Sequence, residues 1–567
     1  MMPMTRFVNA VRWMRAGFAA LCVLFSVAGH AQQVALFDRF KYSGHDASFA
    51  QPLPPGSYRN PVLAGFSPDP AVTRAGNHYY LVNSSFAYFP GIPVYESSDL
   101  VHWTLRSHVL ARRGEVDFDG LGISRGIFAP SIAWHDGRFY VIAVSIDSGG
   151  TFISSSRHAT GPWSNPVWLH GIGGIDPSLF FDDDGKAYVV YNDVPAEGSL
   201  YPGHRAIWIQ PFDIDHLSPA GPRKMLLDGG VDPATHPIWI EGPHLYKRDG
   251  WYYLMCAEGG TGPQHSEVVL RSHAVSGPYV AYAKNPILTQ RDLPADRANP
   301  IVDAGHADLV QMSDGSWWSV FLASRAYGRT HYNTGRETFL LPVTWKDHWP
   351  VILPHHTAIP QIVHGPQSML RDASQAPHSG NFTWRDDFDK PTLDVSWLYV
   401  RVPKYSWADT RSHPGKLTIH PFTGDLDTPR NPSYLARPQQ HTDFDASVTL
   451  DAPARQGIEA GIATFQNSHD WFALGVQREG NTLHIALRSC QHGRKKSLAS
   501  IGVPASVHTL SLRISAKGDD YAFAYRTSHD WQWLLCGVDG TALSTDVAGG
   551  FIGTTIGPYA RRLTRLK

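Results

Sequence analysis

The chain has 567 residues, enough for two or more domains that each bury a core of their own. Charged residues make up 17% of it and the formal net charge is −1, so there is no basic field for nucleic acid or an anionic membrane surface. Aromatic residues make up 12%, which suits β-blades and also the packing of sugar rings, and does not separate the two.

Residues 1–31 read as a secretory leader. Arg6, Arg12 and Arg15 precede an apolar stretch from Ala16 to Ala28, and Gly29 and Ala31 put small residues where a signal peptidase cuts. The apolar stretch is short for a membrane span. The mature protein is therefore expected to be periplasmic or secreted, with no membrane insertion after cleavage. Cys22 leaves with the leader. The remaining Cys256, Cys490 and Cys536 make neither a disulfide framework nor a zinc spacing, and fit buried free thiols better than a Cys490–Cys536 bridge. Residues 32–58, with Pro52, Pro54 and Pro55, read as a loose lead-in.

From residue 59 to about 352 a turn pattern recurs. Its copies are centred on Gly76, Gly137, Gly185, Gly250 and Gly315, each followed by aromatic and β-branched residues, as in Asp249-Gly250-Trp251-Tyr252-Tyr253. A Gly-centred tight turn entering such a run is the sequence form of a hairpin. The glycines are 61, 48, 65 and 65 residues apart, about one four-stranded blade each, which predicts a five-bladed β-propeller.

Nine residues before Gly185, Gly250 and Gly315 stand Asp176, Glu241 and His306; seven before Gly76 stands Asp69, and nine before Gly137 stands Phe128. Offsets of seven and nine differ by one strand period, so the five residues are expected on equivalent faces, converging where the blades meet. Two sequences nearby mimic other chemistry. Gly122-Ile123-Ser124-Arg125-Gly126 spells a nucleophile elbow, but a strand follows where that motif needs a helix. Asp182-Asp183-Asp184-Gly185 opens like a calcium loop, yet no acid closes it.

Residues 353–381, rich in His, Pro, Gln and Ser, read as a linker. From residue 382 the pattern becomes short alternating strands, such as Ala446-Ser447-Val448-Thr449-Leu450 and Tyr521-Ala522-Phe523-Ala524-Tyr525, which predicts a β-sandwich over 382–567.

Paired carboxylates in a cleft suit glycoside hydrolysis, where one protonates the leaving oxygen and another, ionised, activates water or attacks the sugar. Asp69, in the loop Ser67-Pro68-Asp69-Pro70, is expected to be solvated and ionised. Glu241, in the apolar setting Trp239-Ile240-Glu241-Gly242-Pro243, is expected to be protonated, with Asp176 as a third carboxylate whose charge supports that state. Any one acid could instead cap a turn or hold a salt bridge; three at equivalent repeat positions favour a site. His306 is either a hydrogen-bonded core residue or a group that touches a central cation or steadies a carboxylate.

With these residues in order, the chain resembles glycoside hydrolase family 43, specifically its β-xylosidase-like members. The resemblance is carried by Arg59-Asn60-Pro61-Val62-Leu63 and Ser67-Pro68-Asp69-Pro70, then Ser84-Ser85-Phe86-Ala87-Tyr88-Phe89-Pro90-Gly91. Gly174-Ile175-Asp176-Pro177-Ser178, Ile240-Glu241-Gly242-Pro243-His244 and Gly335-Arg336-Glu337-Thr338-Phe339 continue it. Leu435-Ala436-Arg437-Pro438 and Gly549-Gly550-Phe551-Ile552-Gly553-Thr554 resemble the concanavalin-like β-sandwich appended to these xylosidases. The resemblance implies an inverting exo-enzyme that releases terminal xylose from β-1,4-xylo-oligosaccharides, with Asp69 as general base, Glu241 as general acid and Asp176 tuning and orienting the acid. It also implies that Arg336 contacts the innermost sugar and that Phe86 and Phe128 wall the pocket. His306 would lie at the pocket base, where a divalent cation such as calcium is a candidate though no cofactor is required. Phe128 stands where many relatives carry Trp, so α-L-arabinofuranosidase or mixed xylosidase/arabinofuranosidase activity on an arabinoside is the alternative. A non-catalytic carbohydrate-binding protein and a retaining fructan-acting enzyme are more distant ones. Oligomeric state is left open.

Overall fold

In the computed structural model the described residues are 33–294, 296–298, 300–367, 369 and 378–563. The expected leader lies outside them. The five turn glycines each close a hairpin, and they do so at φ between 63° and 85°. A Cβ placed on any of the five meets nothing within 4 Å, so it is the left-handed backbone, and not crowding, that requires glycine there.

Each hairpin is the inner half of an antiparallel sheet whose strands run outward in chain order. The inner strands are Ala71–Ala75 in blade 1, just after Asp69, Gly126–His135 in blade 2, Ile175–Phe181 in blade 3 and Glu241–Arg248 in blade 4, with their candidate residues near the start, and Ile301–Gln311 in blade 5, with His306 at its middle. These strands touch in that order, and the blade 5 strand touches that of blade 1 again, closing a five-bladed ring. The second strand of each blade is sandwiched between neighbouring blades. That is why Leu81 and Val82, Val141 and Ile142, and Val189 and Val190 are buried on both faces and read as continuous apolar runs. Burial of each such side chain stabilises the ring by about 1.5–3 kcal/mol.

Polar clasps complete the closure. The Asn60 side chain bonds the backbone of Leu340 in both directions, donating at 2.9 Å and accepting at 2.9 Å. The Val72 N–H donates to Asp308 Oδ2 at 2.7 Å across the blade 5 to blade 1 seam.

The second domain packs two eight-stranded antiparallel sheets around a large apolar core that includes Phe40, Phe444, Phe472, Leu474 and Phe523. Here the sequence reading is corrected. The stretch expected as a loose lead-in contains the strand Ala35–Gly44, which pairs with Asp443–Asp451, Leu417–Ile419 and Thr383–Asp386 inside one of these sheets. Phe37, Phe40 and Tyr42 of this strand are fully buried. The other sheet ends on Tyr88–Phe89, a segment lying between blade 1 strands, which pairs with Leu398–Val400. The two domains are therefore interleaved at both ends. Within the expected linker, Ile362–His364 pairs with Ser57–Arg59 and is not free chain.

Cys256 and Cys490 are buried free thiols as expected, whereas Cys536 is exposed on the edge strand Gln532–Asp539. Among the described residues no helix is long and apolar enough to cross a membrane.

Candidate active site

The inner strands do not reach the central pocket as regular ladders. Pairing slips between Phe128 and Ser131, between Ile175 and Ser178, between Glu241 and His244, and between Gly305 and Asp308. Asp69, Asp176 and His306 are themselves left-handed, at φ 49°, 53° and 53°, and Gly242 beside Glu241 has φ 56°. A bulge inserts one residue and re-aims a side chain. In blades 2 to 5 the candidate residues are thus aimed by bulges, whereas in blade 1 the ladder is regular and Asp69 stands before the strand, which corrects the expectation that plain strand alternation achieves their equivalence. Left-handed non-glycine residues cost about 1–3 kcal/mol each and persist where surrounding packing imposes them.

Asp69, Asp176, Glu241 and His306 come to the wall of one pocket of about 370 Å³, with Phe86, Phe128 and Arg336. All seven residues expected at the site line it. Asp69 is buried, contrary to the solvated loop expected from its flanking prolines: it is only 5% exposed. Its carboxylate accepts from Arg336 Nη1 at 2.8 Å on one oxygen and from the Ser84 hydroxyl at 2.5 Å on the other. Arg336 and Asp69 are 267 residues apart, so nothing local to Asp69 announced the partner.

Among the described residues neither Glu241 nor Asp176 forms an ion pair, although the Arg336 charge pulls both carboxyls down. Burial, then the charges of Asp176 and Asp69, hold the Glu241 carboxyl well above the usual carboxylate range. Asp176 is pushed up to about 7 by burial and by Asp69, against the Gly242 N–H, which it accepts on Oδ2 at 3.0 Å. Three buried carboxyls in one pocket cannot all ionise together.

His306 is 5% exposed, and burial pushes its ring down to about 4, although Asp69 pulls the other way. It is a neutral imidazole packed against Gly242, where a Cβ would lie 3.0 Å from its ring. Among the described residues no group of three His, Cys, Asp or Glu side chains is placed to hold a metal ion. The donor set at His306 does not fit the calcium-type cation expected there, which needs several oxygen ligands.

Phe86 and Phe128 meet edge to face at 5.0 Å and 64°. A third ring, absent from the expected set, completes this wall. Phe551, from the loop before the last sandwich strand, stacks on Phe86 at 6.0 Å and 19° and meets Phe128 at 5.7 Å and 77°. Its N–H donates to the Ser124 hydroxyl at 3.0 Å. The serine of the false nucleophile elbow is thus an anchor for the sandwich loop. Arg125, Arg205 and Trp239 also line the pocket and were not foreseen. Trp239 was visible only as part of the apolar setting of Glu241.

Residues 58–350 match glycosyl hydrolases family 43, and residues 385–565 match the beta xylosidase C-terminal concanavalin A-like domain. A xylosidase/arabinosidase of Butyrivibrio fibrisolvens is 36% identical over 507 residues, covering 88% of this chain and 95% of that relative. A non-reducing end alpha-L-arabinofuranosidase of Bacteroides ovatus is 35% identical over 520 residues, covering 89% and 91%. The crystal structure of a family 43, subgroup 12 protein retrieved from a capybara gut metagenome superposes with a TM-score of 0.88 at 37% identity, covering 93% of this chain and 99% of that one.

Proposed function

The chain belongs to glycosyl hydrolases family 43 and is a glycosidase, and from that premise we propose that it is an exported exo-enzyme removing terminal xylose from β-1,4-xylo-oligosaccharides with inversion. The observation that carries the reading is the split between two kinds of carboxyl in one pocket: Glu241, held protonated by burial, and Asp69, paired with Arg336.

In this reading Glu241 gives its proton to the glycosidic oxygen as the bond to the anomeric carbon breaks. Water attacks that carbon from the opposite face and loses its proton to Asp69. Glu241 and Asp176 sit on neighbouring blades, whereas Asp69 belongs to blade 1, which is not a neighbour of blade 4. That separation supports acid and base on opposite sides of the sugar with water between, the arrangement inversion requires. Asp176 positions the acid through the Gly242 N–H. The rings of Phe86, Phe128 and Phe551 give the sugar an apolar wall, and a pocket of about 370 Å³ suits a single terminal residue. His306 contributes a neutral ring to the pocket wall.

Arabinofuranoside cleavage is the second reading. It is favoured by Phe128, a smaller wall than Trp, and by the likeness to a xylosidase/arabinosidase and an alpha-L-arabinofuranosidase. Nitrophenyl β-xylopyranoside and α-L-arabinofuranoside, assayed side by side, separate the two. Proton NMR of xylobiose hydrolysis then tests the mechanism: α-xylose must appear first, and early β-xylose would overturn inversion.

A further inference from the structure

Arg205 precedes the third strand of blade 3, Ala206–Asp213, and its guanidinium lies 4.3 Å over the ring of Trp239. Trp239 stands two residues before Glu241 in the left-handed conformation, φ 54°, which turns it to the pocket beside Arg205. The Arg205 charge is felt at Glu241, where it opposes burial and the neighbouring acids.

The other two pocket arginines are spoken for. Arg125 donates from Nε to Asp147 at 2.7 Å, and Arg336 donates to Asp69 and to the Phe551 carbonyl. Among the described residues the Arg205 guanidinium has the Trp239 ring as its only close partner and makes no hydrogen bond or ion pair. A guanidinium stacked flat on an indole gains from the cation–π contact while its in-plane N–H edges stay open. Such a fork matches a carboxylate with two parallel hydrogen bonds, where a sugar hydroxyl would use only one.

We infer that Arg205 and Trp239 form the subsite for the leaving group and that the preferred leaving group carries a carboxylate, as in an oligosaccharide bearing a uronic acid next to the scissile bond. The inference rests on the reading of Glu241 as proton donor. The acid must touch the leaving oxygen, so groups that border the acid border the leaving group. A neutral leaving sugar would stack on Trp239 and leave the cation unmatched.

The probes are 4-carboxyphenyl β-xyloside and its methyl ester, which share shape and differ in charge, with the arabinofuranoside pair run alongside. The readout is the ratio of kcat/KM for acid over ester, compared between the wild type and Arg205→Met. The double ratio cancels the intrinsic reactivity of the two phenols and any general loss of activity in the variant. We expect about tenfold in favour of the acid, the scale of one hydrogen-bonded charge pair, with Arg205→Lys in between. In the wild-type enzyme, which needs no variant to fold, the acid-over-ester ratio should fall as salt is raised. A double ratio of one, or a salt-independent ratio, overturns the inference while ester turnover leaves the glycosidase reading standing. If no glycoside of either series is cleaved, the reading of the site fails and the subsite falls with it.

Discussion

Arg336 donates from Nη2 to the carbonyl oxygen of Phe551 at 3.1 Å, so the cation that pairs with Asp69 is itself seated on the sandwich domain. Blade 5 supplies the arginine, blade 1 the carboxylate and the second domain the acceptor that fixes the arginine between them. The same loop contributes the Phe551 ring to the pocket wall. The second domain is thus a working part of the pocket.

Replacing Phe551 by Ala keeps its carbonyl, and with it the seat of Arg336, but removes the ring. The substrate then loses apolar contact in ground state and transition state alike, at about 25 cal/mol per Å² uncovered. KM should rise roughly tenfold with kcat within about threefold, the pattern expected for lost uniform binding. Steady-state kinetics on the better of the two nitrophenyl glycosides measures this. A collapse of kcat at unchanged KM would instead mean that the ring positions Arg336.

If Glu241 is the proton donor, Glu241→Ala should slow xylobiose cleavage by about 10²–10⁴-fold, the usual worth of general acid catalysis. It should spare a dinitrophenyl glycoside, whose leaving group departs without help. Asp69→Ala should slow both substrates, since every leaving group needs the water activated. A plot of log kcat/KM against leaving-group pKa distinguishes the two: steep for the Glu241 variant, shallow for the wild type.

The positions of the acids were legible because the turn glycines mark the blades and each acid stands seven or nine residues before its glycine. Strand alternation alone brings these residues to one pocket only in outline, because bulges do the aiming at Asp176 and Glu241. What sequence could not supply was everything that depends on distant segments. Asp69 lies in a local context of prolines and small residues that reads as exposed, and Arg336 makes it buried and paired. Arg205 and Phe551 come from loops with no period to betray them. The strand Ala35–Gly44 carries Phe37, Phe40 and Tyr42 at near-alternate spacing, a signal present in the sequence but outweighed by the prolines that follow. Its partner Asp443–Asp451 lies some 400 residues away, beyond any local pattern.

Asp176→Asn should move the basic limb of the kcat/KM profile to lower pH. Asp176 is pushed up to about 7, so its charge appears above that pH and opposes ionisation of Glu241. With Asn in place Glu241 gives up its proton at lower pH, and the active form is lost earlier. Stability should change as well. A carboxyl whose pKa is raised by folding stays protonated in the folded state while the unfolded chain ionises, so the native state loses stability as pH rises above about 4. The Asn variant escapes that loss. Its Tm should exceed that of the wild type by a few degrees at pH 8 and match it near pH 4.

The junction between the domains rests on a buried ion cluster whose balance can be tested by removing its one cation. Arg325, in the second strand of blade 5, donates from Nε and Nη2 to the two oxygens of Glu337 at 2.7 and 2.8 Å. It also donates from Nη1 to Asp46 at 2.6 Å and from Nη2 to the Gln440 carbonyl at 2.9 Å. Asp46 and Gln440 lie beside sandwich strands, and all three charged side chains are buried. Burial keeps the Glu337 carboxyl above its usual range even with Arg325 in place, and Arg325 is the largest influence pulling it down. Arg325→Met would keep the volume but leave two carboxylates buried without a counter-ion, a loss of about 3–5 kcal/mol. Glu337 would then take up a proton at a higher pH than before. The deficit should therefore be greatest at neutral and alkaline pH and shrink as pH falls toward 4, where the unfolded chain is protonated too. Thermal scans at pH 5 and pH 8 check this. Equal losses at both would assign the damage to lost packing over Phe49, which the guanidinium covers at 4.6 Å, and not to the exposed imbalance of charge.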